Sequence, residues 1–170
     1  ILFQRDSAVR YVRVVASAAK LPDDQVVPTV IDPRFPLNDV VLLSDTSSVS
    51  PDPIRAGVPD TTSMRARLEE WKPGSMRVAL EGRDSRPRYL LVAESWYKDW
   101  HALVDGTPAP VHRGDHALIA VVIPPGAREI ALYFESPEYA RGKLISLLAL
   151  LVIAGLYGWT LAARRRVAHG

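Results

Sequence analysis

Cysteine is absent from the 170 residues, which excludes disulfides, thiolate metal sites and cysteine nucleophiles. Also missing are a Gly-rich phosphate loop and a Gly-x-Ser-x-Gly elbow, so the common sequence signatures of nucleotide binding and of serine hydrolases do not apply. An excess of one charge is lacking too: 21 basic residues face 19 acidic ones. Without Arg164, Arg165 and Arg166 the acidic residues outnumber the basic by one, which gives no electrostatic reason to expect nucleic acid as a partner. The first residue is Ile, and no basic, apolar and small-residue succession of a signal peptide opens the chain. A cut or processed start is therefore expected, with any export signal upstream.

What is present is unevenly spread. From Leu144 to Ala163 runs LISLLALLVIAGLYGWTLAA, with no charged residue, and every acidic residue of the chain precedes it. Twenty residues at ~1.5 Å each reach about 30 Å, the hydrocarbon thickness of a bilayer. Its seven Leu, two Ile and one Val favour insertion by roughly 3 to 6 kcal/mol before Gly, Ser and Thr subtract from it. The competing reading, a buried core helix, normally carries a polar stripe. The expectation is one transmembrane helix whose partner is the lipid bilayer. Arg164, Arg165 and Arg166 follow at once and mark the cytoplasmic side, while Tyr139, Tyr157 and Trp159 sit where interfacial aromatic belts occur. The division expected is an extracytoplasmic domain over 1–138, a membrane segment with flanks over 139–166 and a cytoplasmic tail over 167–170.

Ahead of the helix the pattern is that of strands. Tyr11 to Ala16 and Asn38 to Ser44 read as strands separated by a possible helical turn or two over Leu21 to Ile31, where Asp23 and Asp24 suit a first turn and Pro28 breaks or shortens the helix. The stretch from Ser44 to Thr62, dense in Ser, Thr, Asp and Pro, reads as a loop. Met64 to Trp71 and Ser75 to Glu81 flank Lys72-Pro73-Gly74 as a hairpin. Arg88 to Ser95 is apolar enough to be a central strand. Trp100 to Val104 and Pro108 to His112 flank the two-residue turn Asp105-Gly106, and His116 to Ile123 and Arg128 to Glu135 complete the set. The fold class expected is mainly β, an antiparallel β-sandwich of about eight strands followed by the C-terminal transmembrane helix.

Trp96, Tyr97 and Trp100, with Asp99, His101 and Asp105 nearby, form the densest aromatic and polar cluster. Aromatic faces flanked by carboxylates suit a sugar, so Trp96, Tyr97, Trp100 and Asp105 are candidate glycan contacts. The competing reading is that the aromatics plug one end of the core and that Asp105 serves its turn. His112 and His116 have a spacing that suits zinc on one helix face, but they fall across a turn and no third ligand is evident. Arg113-Gly114-Asp115, an adhesion tripeptide in other settings, is accounted for by a polar hairpin turn. No cofactor is expected, and no metal site.

The run YLLVAESWYKDWHALVDGTPAPVHRGDHALIAVVIPPGAREIALYFESPEYARGKLISLLALL, Tyr89 to Leu151, resembles the C-terminal part of bacterial YfhO-type membrane proteins. There a strand leads to a tyrosine-rich turn and Gly-Trp, then a strand ending Val-Asp-Gly, a hairpin, a Pro-x-Gly turn and a last strand entering a membrane helix. RYVRVVASAAKLPDDQVVPTVIDPRFPLNDVVLLSD resembles the preceding segment. Two departures stand out: Trp96-Tyr97-Lys98-Asp99-Trp100 replaces the common Tyr-Tyr-Pro-Gly-Trp, and Pro28 falls inside the family's helical segment. The family resembles GT-C-type glycosyltransferases, which take sugar from a polyprenyl-phosphate donor on the outer membrane face. The resemblance implies a C-terminal accessory domain plus the last span, in the cytoplasmic membrane of a bacterium. Its implied partners are upstream transmembrane helices of the same polypeptide and cell-envelope glycan or polyprenyl-linked sugar. Because the catalytic carboxylate of such proteins lies in an early loop, no catalytic residue is carried over. The alternative is a non-enzymatic single-span module whose β-sandwich binds glycan or a partner protein.

Overall fold

The computed structural model describes residues 10–50 and 62–167, with side chains of the last helix described at 137–139, 141–155 and 157. In chain order these residues form β1 (Val12–Val15), β2 (Ser17–Leu21), α1 (Asp23–Val30), β3 (Val40–Ser44), β4 (Arg65–Lys72), β5 (Ser75–Glu81) and β6 (Arg88–Ser95). There follow β7 (Trp100–Val104), β8 (Thr107–Ala109), β9 (Val111–Gly114), β10 (Leu118–Ile123), β11 (Glu129–Phe134) and α2 (Pro137–Val167). The chain divides into two compact units, 1–135 and 136–170.

In the first unit the strands build two sheets, one ordered β1-β6-β10-β9-β3-β2 and the other β4-β5-β11-β7-β8. The mainly β class is thus as expected, but the described residues hold eleven strands rather than about eight, and β2 and β3 run parallel. The two additions to the nine segments named from the sequence have clear physical causes. Ser-Ala-Ala-Lys-Leu of β2 has little β propensity of its own and becomes a strand because β3 offers it a ladder. The single strand expected over Pro108 to His112 is two strands, β8 in one sheet and β9 in the other. Between them stands Pro110, which has no N–H to continue a ladder and so marks the crossing.

The six-stranded sheet closes on itself. Its two edges, β1 and β2, are separated only by Ala16, so they form one bent strand whose first half pairs with β6 and whose second half pairs with β3. Side chains alternate across such a sheet. Its inner side carries Val15, Ala18, Val41, Leu43, Leu91 and Ala120, all buried. The outer side gives Val12, Leu90, Val92, Ile119, Val121 and Ile123 to a larger core shared with Met76, Val78, Ala102, Ile130 and Leu132 of the other sheet. β6 lies between β1 and β10 and is buried from Arg88 to Val92, which is why its sequence is apolar without alternation. Each fully buried aliphatic side chain contributes roughly 1.5 to 3 kcal/mol. Gly114 lines the inner side, where a Cβ would lie 2.8 Å from Leu91 Cδ1 and 3.0 Å from Ala120 Cβ.

α1 begins at Asp23 with Asp23 and Asp24 in its first turn, as expected, and buries Val26 against Val40 and Leu42. It continues through Pro28 for two further residues, so that proline does not end it.

In the second unit α2 begins at Pro137, where Ser136 Oγ accepts the Tyr139 N–H at 3.5 Å. Its 31 residues correspond to ~46 Å of helix. Leu144, Ile145, Leu147, Leu148, Leu150, Leu151, Val152 and Ile153 are each between 54% and 67% exposed. Among the described residues no helix is long and apolar enough to cross a membrane. The uncharged run of the sequence extends to Ala163, beyond Tyr157, the last side chain described.

Candidate functional site

The aromatic cluster divides. Trp96 follows β6 directly, and the Arg113 guanidinium lies 6.0 Å from its ring centroid while also pairing with Asp23 at the start of α1. The Trp96 indole N–H is buried and has no hydrogen-bond partner among the described residues. Tyr97 and Trp100 instead meet Phe134, the last residue of β11, with ring centroids 6.0 Å and 5.6 Å away, the second contact edge-on. Trp100 is buried in the shared core, whereas Tyr97 is 53% and Phe134 40% exposed. Asp99, between Tyr97 and Trp100 in sequence, is buried, and its Oδ2 has no partner among the described residues.

Asp105 does not belong to this cluster. Trp100 opens β7 and Asp105 follows its end, so at ~3.3 Å per residue about 16 Å separates them along the strand. The Asp105 carboxylate accepts the backbone N–H of Arg128 at 3.0 Å and of Glu129 at 2.9 Å. Its φ of 48° and the 80° of Gly106 suit the two-residue hairpin turn read from the sequence. The carboxylate therefore pins the β7–β8 turn to the start of β11.

His112 and His116 are likewise separated in role. His112 lies in β9 and is part-buried, and its Nδ1 is 3.2 Å from Ser47 Oγ. Val49 N–H donates to the same oxygen at 3.3 Å, and Lys20 Nζ donates to the Ser47 carbonyl. Burial first, and then the Lys20 charge, holds the His112 imidazole below its usual pKa. A hydroxyl beside a neutral imidazole is the first half of a nucleophile–base pair. Among the described residues no carboxylate orients the other ring nitrogen, and the Ser47 oxygen serves its own turn. His116 is exposed with φ 75°. No group of three His, Cys, Asp or Glu among the described residues could hold a metal ion. Arg113-Gly114-Asp115 is not an exposed turn, because Gly114 and Asp115 are buried.

The most buried polar chemistry was invisible as a motif. Asp115 pairs with Arg13 at 3.2 Å, their side chains 3% and 11% exposed. Its Oδ1 accepts the Leu42 N–H at 2.9 Å while its own N–H donates to the Leu42 carbonyl at 2.8 Å. Only Leu43 and Gly114 are in register between β3 and β9, so the Asp115 side chain supplies a bond that the ladder lacks at this seam. Burial pushes the Asp115 carboxyl up, against the Leu42 N–H and Arg13, and burial also lowers Arg13. Arg88 closes the other weak point. It donates to the carbonyl of Ala16, the bend between β1 and β2, at 2.8 Å, and pairs at 2.6 Å with Asp84, whose carboxyl it holds below the usual range.

On α2, Lys143 Nζ lies 5.5 Å from the Tyr139 ring centroid, and Tyr139 and Tyr157 are exposed. Trp159, Arg164, Arg165 and Arg166 lie outside the described side chains. Phe134 was legible from the alternation Ile130, Leu132, Phe134 in β11, but was not singled out; nothing local links Arg13 to Asp115, 102 residues apart.

No family model matches the chain, and neither a curated protein nor a solved structure matches it.

Proposed function

We propose that the chain is a membrane-tethered β domain, with α2 embedded in lipid and the two-sheet unit held on the extracytoplasmic face. In this reading it serves as the C-terminal accessory module of a YfhO-like, lipid-linked-sugar glycosyltransferase. The observation that carries the anchor is the distribution of apolar side chains on α2. Residues Leu144 to Ile153 wind through nearly three turns and leave eight large aliphatic side chains exposed at every azimuth. A water-facing helix keeps a polar face, and a helix apolar all round needs lipid or other helices to cover it. The sequence prolongs this run without charge to Ala163 and ends it with three arginines. The accessory role rests on the resemblance of Tyr89 to Leu151. Acceptor glycan is the ligand class considered for the β domain, with Tyr97 as its most exposed aromatic contact.

Alkaline carbonate extraction of the full chain expressed in bacteria tests the anchor. The protein is expected in the pellet, and a tag after Gly170 is expected to be protected from protease in intact spheroplasts. Recovery in the carbonate supernatant, or a tag cleaved from outside, would overturn the reading.

A further inference from the structure

One end of the β domain displays large aromatic side chains that the fold points inward and that no other described residue covers. In the ladder Trp71 faces Met76 and Met76 faces Leu132, and both partners are core residues. Phe134, two residues beyond Leu132, points to the same side. Trp71 nevertheless remains 54% exposed and Phe134 40%, with Tyr97 against Phe134 at 53%. Trp71 and Phe134 lie at the same end of the sheet: the Gly74 carbonyl, in the turn after Trp71, accepts the Phe134 N–H at 2.8 Å. Next to Trp71, the Tyr11 hydroxyl donates to Glu94 at 2.7 Å. The inward faces of β4 and β11 thus extend past their cover, and the uncovered positions hold Trp, Tyr and Phe rather than polar residues.

We propose that this end, centred on Trp71, Tyr97 and Phe134, is a bilayer-contact surface that rests in the headgroup layer. The proposal rests on the reading of α2 as lipid-embedded, and two observations select the bilayer as occupant. Only Glu135 and Ser136 separate Phe134 from the first residue of α2, so covalent reach keeps Phe134 within about 11 Å of Pro137. The chemistry also fits: Trp and Tyr combine an apolar ring with a polar N–H or O–H and concentrate at membrane–water interfaces. The start of α2 repeats that chemistry with the exposed Tyr139 ring beneath Lys143. Contact at this surface would fix the height of the domain above the membrane and present its opposite end, with the turns at Gly106 and Gly126, to the envelope.

Because the chain has no cysteine, single cysteines for nitroxide labels can be placed freely. Lys72→Cys and Lys98→Cys flank the aromatics, Thr107→Cys reports the opposite end, and Leu150→Cys reports α2. The full chain would be reconstituted in vesicles of phosphatidylethanolamine and phosphatidylglycerol, and collision of each label measured with dissolved oxygen and with a water-soluble nickel chelate. Labels at 72 and 98 are expected to meet the chelate at least about threefold less often than the label at 107, as at an interfacial depth. Adding Trp71→Ser and Tyr97→Ser should restore their access. Chelate access at 72 and 98 equal to that at 107, with the label at 150 shielded, would overturn the bilayer surface and leave the anchor standing. Shielding that survives the two serine substitutions would overturn it as well. Free chelate access at 150 would overturn the anchor itself, and with it this proposal.

Discussion

Inside the curled sheet and along α2 the chain places the same kinds of aliphatic residue in opposite surroundings. Leu43 and Leu91 are fully buried, while Leu150 and Leu151 are more than half exposed. The difference is one of partners rather than of residue type. A strand shares its two faces with whatever the sheet folds onto, and here the bend at Ala16 turns the sheet onto itself. A helix that is apolar around its circumference has no face left for water, so its burial depends on something outside its own unit. An apolar run therefore states how much surface must leave water, and only its neighbours determine where it goes.

The sharpest way to break this contrast is at the polar seal of the curled sheet. Arg13→Met leaves the buried Asp115 carboxylate without its counter-charge and is expected to cost about 3 to 5 kcal/mol in urea denaturation of the full chain. Adding Asp115→Asn should recover part of that loss; a single variant as stable as the parent would show that the pair does not hold the seam. Truncation comes next. Leu91→Ala should lower stability by about 2 to 5 kcal/mol because a cavity remains inside the sheet. Leu150→Ala, an identical change on α2, should leave the unfolding of the β domain within about 0.5 kcal/mol of the parent. Equal losses at the two positions would remove the distinction between them.

A smaller effect is expected from Gly114→Ala, at about 1 to 3 kcal/mol, because Leu91, Ala120 and Val41 must yield to the added methyl group. An unchanged unfolding midpoint would mean that the interior is looser than these distances imply. The smallest concerns pH. His112 is a base whose folded pKa is lowered, so the unfolded chain takes up the proton first. Its contribution is complete above the ordinary value of about 6.5 and is lost as pH falls toward the folded value. Stability measured from pH 8 down to pH 5 should consequently decline less in His112→Asn than in the parent. Parallel curves would show that the imidazole is not desolvated.

Much of the β unit is legible in the sequence alone. β5, β7 and β11 alternate, β6 from Tyr89 to Ala93 and the whole of β10 are continuously apolar, and the turns at Gly74, Gly106 and Gly126 carry the glycines that their φ of 75°, 80° and 85° require. β2 was not legible, because Ser-Ala-Ala-Lys-Leu carries neither period, and the division of Pro108 to His112 between two sheets was not either. At the candidate site the aromatic residues were singled out from the sequence, yet their division was hidden. Whether Trp100 is core and Tyr97 surface depends on Phe134, which arrives from a different strand. Asp105 was grouped with them by nearness in sequence, whereas an extended strand of five residues carries it to the other end of the sheet.

By itself the amino-acid sequence determined the mainly β character of the first unit, the apolar C-terminal helix, the hairpin at Asp105-Gly106 and the absence of any thiol chemistry. Those features arise from period, turn residues and composition, which act over a few neighbours. Only the tertiary structure decided that the larger sheet closes on itself, that Arg13 and Asp115 meet across 102 positions, and that Trp71 and Phe134 stay exposed at one end. Each of these depends on which distant strands pair and how far each partner extends, and pairing is set by the burial of the whole set of strands at once rather than by any segment alone.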